Sequence, residues 1–383
     1  MKLFVSHPQH LPPEIAMPLF RLGGSAALLF ALSMSSASAQ IVIGQTAGIT
    51  GPVASSVNET IAGSRLVIDA VNAQGGVNGE QIEVVRLDDG FDPKRAAENG
   101  RVLIEEKKAV ALFLTRGTPH TQSIIPLLDK HGVPLIGPST GAMVLHKPLQ
   151  RHVFNVRSTY QREAEKAVQH LSTVGMNRIG VVYVTDSFGA DALEGAKTGF
   201  AKAKLDPAAL VQADRDKPDY KTIVPQLVQA QVQAVLWIGS GTAVVEGVKA
   251  LRAAGSAAQV VTLSNNASSG FIKSLGDNSR GVIVTQVFPS ERSIGTPMVR
   301  EAMALAKGKE LSPAMLEGFA SAKVLVEALR RAGPAPTRAK VLAALDGLKN
   351  FDLGGLEVSY SPQDHTGIDY ADLSIISEGR FRR

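Results

Sequence analysis

The 383-residue chain has no cysteine, which removes disulfide staples, thiol nucleophiles and cysteine-ligated metals at one stroke. Its stability must come from a packed core. A single tryptophan, Trp237, lies inside an apolar run, where a core role is expected rather than a ligand contact. The chain also lacks low-complexity tracts and any Lys/Arg block interleaved with aromatics, and its formal net charge is only +5, so nucleic acid is not an expected partner. The sequence pI near 9.3 tilts the ligand expectation toward an anion. Catalytic signatures are missing as well. Gly239-Ser240-Gly241 follows an apolar run and opens a helical one, but Val244 occupies the third glycine position of a dinucleotide fingerprint. No phosphate-binding P-loop, no Gly-x-Ser-x-Gly elbow and no His-Glu-x-x-His occurs, and His120, His131, His146, His152 and His170 show no metal-ligand pairing. A non-enzyme without cofactor or metal is therefore expected.

Long hydrophobic runs are absent too. The apolar stretch 26–32 is too short to span a bilayer. It follows Arg21 and precedes Ala37-Ser38-Ala39, the order of a cleaved secretory signal, which assigns residues 1–39 to a signal peptide and starts the mature chain at Gln40. Residues 1–16, with Pro12, Pro13 and Glu14, are unlike a charged n-region, so Met17 is the expected start of translation.

What is present is alternation. Residues 41–47 read as a strand, 58–73 as an amphipathic helix stopped by Gly75-Gly76, 82–87 as a strand, a helix follows capped by Asp92 with Pro93 in its first turn, and 110–114 reads as a strand. This order argues for a parallel sheet covered on both faces. After 153–157 the pattern restarts, with strands at 178–184, 234–238, 260–263 and 281–286 and helices near 163–171, 190–202, 220–231 and 242–253. With this length, two α/β lobes are expected, the second beginning near Ser158. Beyond Pro289 the chain turns mostly helical: Ser312 and Pro313 open a long helix, a second covers 337–349, and short strands follow at 356–360 and 368–376.

Two loops rich in glycine and hydroxyls, 117–121 and 137–141, follow short apolar runs and read as strand-to-helix turns, the place where open α/β sheets bind ligands. They contribute Thr118, Ser139, Thr140 and Gly141 as candidate ligand contacts. Arg116, beside the first loop, is open to two readings, a solvated surface charge or the ion-pair partner of the ligand. Ser240 and Thr242, just past Trp237, are candidates at a second-lobe strand end.

These residues resemble a known family, the type I periplasmic solute-binding proteins of branched-chain amino acid ABC transporters. The likeness covers nearly the whole mature chain and rests on Ile43-Gly44 with Thr50-Gly51-Pro52-Val53, on 69–79, on both loops, on Phe154-Asn155-Val156-Arg157, on Asp186-Ser187-Phe188-Gly189 and on Glu317-Gly318-Phe319. It implies two Rossmann-like lobes joined by a three-segment hinge, lobe 1 being 40–157 plus 290–361 and lobe 2 being 158–289 plus 362–383. It implies a monomeric periplasmic protein whose cleft closes on a small organic solute and presents it to an inner-membrane ABC permease. The alternative is a periplasmic sensor or co-receptor for a signalling protein. Thr118 stands at the family's carboxylate-binding hydroxyl, Ser139 and Gly141 at its second carboxylate loop, and Tyr160, Phe188, Ser240 and Asn265 on the facing wall. The chain departs from its relatives where an aromatic becomes Ser56, where a tyrosine becomes Phe188, and where the carboxylate for a ligand ammonium becomes the neutral run Ser264-Asn265-Asn266. The expected solute is thus a branched-chain amino acid or a related amide, carboxylate or aromatic acid.

Overall fold

The computed structural model describes residues 40–383; the expected signal peptide and start at Met17 lie outside the described residues. The first lobe is built in chain order from β1 (Gln40–Ala47), α1 (Ala54–Ala73), β2 (Gln81–Asp88), α2 (Pro93–Arg101), β3 (Ala111–Phe113), α3 (Thr118–His131), β4 (Leu135–Ile136) and β5 (Val153–Phe154). Its five strands pair in parallel in the order β2-β1-β3-β4-β5. Because parallel sheets bury both faces, β3 reads as an unbroken apolar run, and all three of its residues are buried.

The second lobe follows with α4 (Tyr160–Thr173), β6 (Ile179–Val184), α5 (Ser187–Ala203), β7 (Ala209–Ala213), α6 (Tyr220–Gln229), β8 (Ala234–Ile238), α7 (Gly241–Ala253), β9 (Gln259–Thr262), α8 (Ser269–Leu275) and β10 (Ile283–Gln286). The chain then passes through α9 (Pro297–Ala306), α10 (Pro313–Ala332) and α11 (Arg338–Asp346), the β11/β12 ribbon (Phe351–Asp352, Glu357–Val358), and β13 (Asp372–Ser377) and β14 (Arg380–Arg382). These last two strands pair antiparallel with the second sheet, giving the order β14-β13-β10-β9-β8-β6-β7. Trp237 sits in the core of this lobe, 2% exposed, and a Cβ on Gly247 would stand 2.1 Å from its indole ring.

Helix α10 starts where expected: the Ser312 hydroxyl accepts the Met315 N–H at 3.2 Å. Fifteen of its twenty residues are buried, so it is an interior helix rather than a surface one. It packs on the first sheet through Leu316 and Phe319 and crosses α1 at two glycines. A Cβ on Gly63 would lie 1.9 Å from the Met315 carbonyl oxygen, and one on Gly318 1.9 Å from that of Thr60. Only glycine permits that approach of the two backbones.

The segments that cross between the lobes are stitched together. The Asn155 N–H donates to the His365 carbonyl at 3.0 Å and the Ile368 N–H to that of Val156 at 3.0 Å, tying the first crossing to the last. Beside them Arg157, 2% exposed, donates to Glu163 and, at 2.7 Å, to Ser264 Oγ, and its Nη1 stands 3.8 Å from Glu317. Glu163 also accepts the Ser264 N–H at 2.9 Å and the Thr285 hydroxyl. This buried cluster links α4, β10 and α10.

One turn differs from expectation. The loop 137–141 does not open an α-helix; it leads to a 3-10 turn, Met143–Leu145. Gly141 lies against the first crossing, its carbonyl accepting the Tyr160 N–H at 2.8 Å and its Cα so close that a Cβ would meet the Ser158 oxygen at 2.5 Å. Pro148 then bars a helix from growing onward.

Candidate functional site

Each strand end that faces the other lobe carries a short loop, and these loops meet. The first loop is held by an isolated parallel bridge between Arg116 and Ser139, which prolongs the pairing of β3 with β4. Gly117 supplies a φ of 90° to turn into α3, and a side chain there would strike His120 Nδ1 at 2.6 Å. His120 in turn stacks on Phe91, with ring centroids 4.3 Å apart. Burial pushes the His120 pKa down to about 4, so this ring is neutral at ordinary pH.

Across the cleft, Thr159 caps α4 by accepting the Arg162 N–H at 3.2 Å and so sets Tyr160 at the start of that helix. Asp186 caps α5 through the N–H groups of Phe188 and Gly189, at 2.9 and 3.1 Å. Tyr160 and Phe188 meet edge to face, with centroids 4.7 Å apart. Asn265 donates through Nδ2 to the Gly239 carbonyl at 2.9 Å and to Ser240 Oγ at 3.0 Å.

Between these walls lies a narrow cavity of about 10 Å³, as small as a single water needs, lined by Phe91, Arg116, Gly117, Thr118, Tyr160, Phe188, Arg215, Ser240 and Asn265. It therefore gathers six of the ten residues singled out in the sequence. Ser139, Thr140 and Gly141 stand behind it. Ser139 accepts from Arg116 at 3.1 Å, the Thr140 hydroxyl bonds that of Thr118 at 2.7 Å, and Gly141 holds the Tyr160 N–H. Thr242 serves the closed arrangement, donating its N–H to the Pro52 carbonyl at 3.2 Å. Ser56, in place of an aromatic, accepts from Arg116 at 3.2 Å.

Phe91 and Arg215 escaped the sequence reading. Phe91 ends the β2 turn just before the Asp92 cap. Arg215 follows β7, a strand whose exposed Leu210 and edge position hide the apolar signal. Applying the strand-end rule to a recognised β7 finds it. Arg215 pairs with Asp186 and stands over the Phe91 ring at 5.2 Å.

At 4% exposure Arg116 is not a solvated surface charge. Its guanidinium donates to Ser139 Oγ, to Ser56 Oγ and, at 2.6 Å across the cleft, to the Asn265 carbonyl. All three acceptors are neutral, and among the described residues no carboxylate forms an ion pair with it. Burial pushes its pKa down, opposed by Tyr160 and Glu317. The guanidinium nevertheless stays protonated at any ordinary pH.

Further contacts join the lobes. Glu59 on α1 accepts the N–H groups of Ser269 and Gly270 at 2.9 and 2.8 Å, and Ser187 Oγ donates to Gln122 Oε1 at 2.5 Å. The lobes are thus closed on each other. Among the described residues no group of three His, Asp or Glu is placed to hold a metal, and no helix is long and apolar enough to cross a membrane.

Comparison with known proteins agrees with this architecture. The profile of a family described as periplasmic binding protein matches residues 40–377. Leu/Ile/Val-binding protein homolog 3 of Brucella melitensis is 23% identical over 336 residues, 85% of this chain and 89% of that protein. The leucine-, isoleucine-, valine-, threonine-, and alanine-binding protein of Pseudomonas aeruginosa is 25% identical over 332 residues, 85% of this chain and 87% of that protein. Among solved structures, a substrate-binding periplasmic protein from Ralstonia solanacearum superposes with a TM-score of 0.81 at 32% identity, covering 88% of this chain and 97% of that one. A branched chain amino acid ABC transporter protein from Thermus thermophilus with bound valine shares the fold, with a TM-score of 0.78 at 18% identity over 90% of this chain and 94% of that one.

Proposed function

This chain belongs to the periplasmic binding protein family and is a solute-binding protein, and from that premise we propose that it works as the capture subunit of an ABC importer. In this reading it is exported by cleavage after Ala39, acts as a monomer in the periplasm, and hands its solute to an inner-membrane permease. It performs no chemistry on the solute. The lobes are 40–157 with 290–361 and 158–289 with 362–383, and the solute lies between Arg116 and Thr118 on one side and Tyr160, Phe188, Ser240 and Asn265 on the other. The names of the Brucella and Pseudomonas relatives support a branched-chain amino acid or a related small acid or amide.

The observation that carries this reading is that one small space is lined from both lobes. A solute there touches both walls only when the lobes are together, so it binds the closed form better and shifts the population toward it. The bonds from Arg116 to the Asn265 carbonyl and from the Ser269 and Gly270 N–H groups to Glu59 exist only in that closed form. Their groups return to water on opening, so each adds little net energy and the solute decides the balance. Thermal-shift screening of amino acids, amides and organic acids, with small-angle scattering on any hit, tests this. A hit should raise the melting temperature and reduce the radius of gyration; a hit that leaves the radius of an open protein unchanged contradicts closure. Co-purification with a permease supports transport, and with a receptor kinase supports sensing.

A further inference from the structure

We propose that the solute is a small organic carboxylate without an ammonium group, such as a 2-hydroxy, 2-oxo or aromatic acid, whose carboxylate pairs with Arg116. This rests on the reading of the cleft as the solute site. Arg116 and Arg157 are the two buried arginines among the described residues, and no lysine there is buried. A guanidinium taken out of water needs an anion beside it to offset the lost hydration. Arg157 has Glu163 and, at 3.8 Å, Glu317. Arg116 hydrogen-bonds only hydroxyls and a carbonyl, feels Glu317 only from beyond ion-pair distance, and lines the space between the lobes. The missing partner is an anion that arrives from outside.

The same space is unfit for an ammonium. Asp186 is engaged by Arg215 and two backbone N–H groups, and Glu163 by Arg157, Thr285 and the Ser264 N–H. Glu317 borders a different hollow, beside Phe288 and Pro313, close to Arg157. A zwitterion would leave its cation beside Arg116 and Arg215 with no free carboxylate, whereas a monoanion neutralises Arg116. One buried acceptor remains without a partner on this wall, Asn265 Oδ1. It suits a ligand hydroxyl, a neutral donor. The rings of Phe91, Tyr160 and Phe188 supply the apolar surface for the remainder of the molecule.

The test compares isosteric triplets by calorimetry on the mature chain: leucine, 2-hydroxy-4-methylpentanoate and 2-oxo-4-methylpentanoate, then phenylalanine, phenyllactate and phenylpyruvate. In at least one triplet the hydroxy or oxo acid should bind roughly 10-fold or more tightly than the amino acid. Arg116→Met should weaken that acid by roughly 10- to 100-fold, the loss of a charge-assisted bond to a buried carboxylate, with the ligand-free melting temperature close to wild type. If R116M does not fold, R116K keeps a cation without the planar fork and should also bind the acid more weakly. An amino acid that binds as tightly as its deaminated partners overturns this proposal and leaves the solute-binding reading intact, as does acid binding unaffected by the Arg116 substitution. If no triplet member and none of the corresponding amides binds, this proposal and the placement of the solute in this cleft fall together.

Discussion

Arg157 and Arg116 are both buried, both within reach of the lobe interface, and both surrounded by hydroxyls, yet they stand in opposite electrostatic circumstances. Around Arg157 burial works against the charge, but Glu163, Tyr160 and Glu317 outweigh it and the pKa is raised. Around Arg116 burial wins and the pKa is lowered. The charge of the first arginine is compensated by Glu163 and Glu317, although its Nη1 makes no hydrogen bond, and the side chain belongs to the scaffold that joins α4, β10 and α10. The second has hydrogen-bond partners but no ion-pair carboxylate, and its neutral partners hold it in place without satisfying its charge. A buried cation without an anion beside it carries a desolvation cost that the fold does not offset, and groups perturbed in this way cluster at functional sites.

The difference can be broken most directly on the scaffold side. Glu163→Ala leaves Arg157 buried with only the more distant Glu317, and should destabilise the ligand-free protein by about 3 to 5 kcal/mol in urea unfolding, the usual cost of orphaning one member of a buried pair. Arg116→Met orphans no charge and should change ligand-free stability by less than about 1 kcal/mol. Equal losses in the two variants would erase the distinction.

A smaller effect sharpens it through pH. Burial, and next the charge of Arg157, hold the His146 pKa down to about 4, against 6.5 for the ordinary group. A histidine with a depressed folded pKa contributes no proton-linked loss above pH 6.5. Below that, the unfolded chain takes up the proton first and stability falls until about pH 4. His120 behaves alike, while Asp89 and Asp191, raised by burial to about 6, work in the opposite sense between about 6 and 3.8. His146→Gln removes one of the losing groups, so its stability relative to wild type should improve between pH 7 and pH 5 by up to about 2 kcal/mol. No change in that difference would mean that His146 titrates normally.

The two walls give the finest contrast. Thr118→Val leaves Thr140 without its hydroxyl partner and should weaken a carboxylate ligand by roughly 1 kcal/mol or more. Glu59→Gln touches only the closed state. It should weaken solute binding by about 0.5 to 1 kcal/mol without altering the unfolding midpoint of the ligand-free protein in its open form. Loss of binding beyond tenfold would assign Glu59 a part in the site itself.

Most of the architecture was legible because periodicity and caps are local. The run 234–238 is β8 to the residue, and Ser312 caps α10 as read. Strand β7 was not legible, since an edge strand with Leu210 exposed shows neither the alternation nor the apolar run of its neighbours, and Arg215 was lost with it. The candidate site is a set of strand-end loops in the sequence, and the structure brings six of the ten candidates around one cavity. What the sequence could not distinguish was Arg116 from Arg157. Burial and ion pairing depend on Glu163, Glu317 and Asn265, which arrive from remote elements. The neutral run Ser264-Asn265-Asn266 was visible as a missing carboxylate, but only the fold shows that an unpaired guanidinium faces it.

One measurement tests the central claim most directly: the ligand-free unfolding free energy and the affinity for the best-binding acid of the triplets, determined together for wild type and R116M. The account predicts stability within about 1 kcal/mol of wild type and affinity lower by roughly 10- to 100-fold. A variant that is destabilised as severely as E163A, or that binds the acid as well as wild type does, would contradict it.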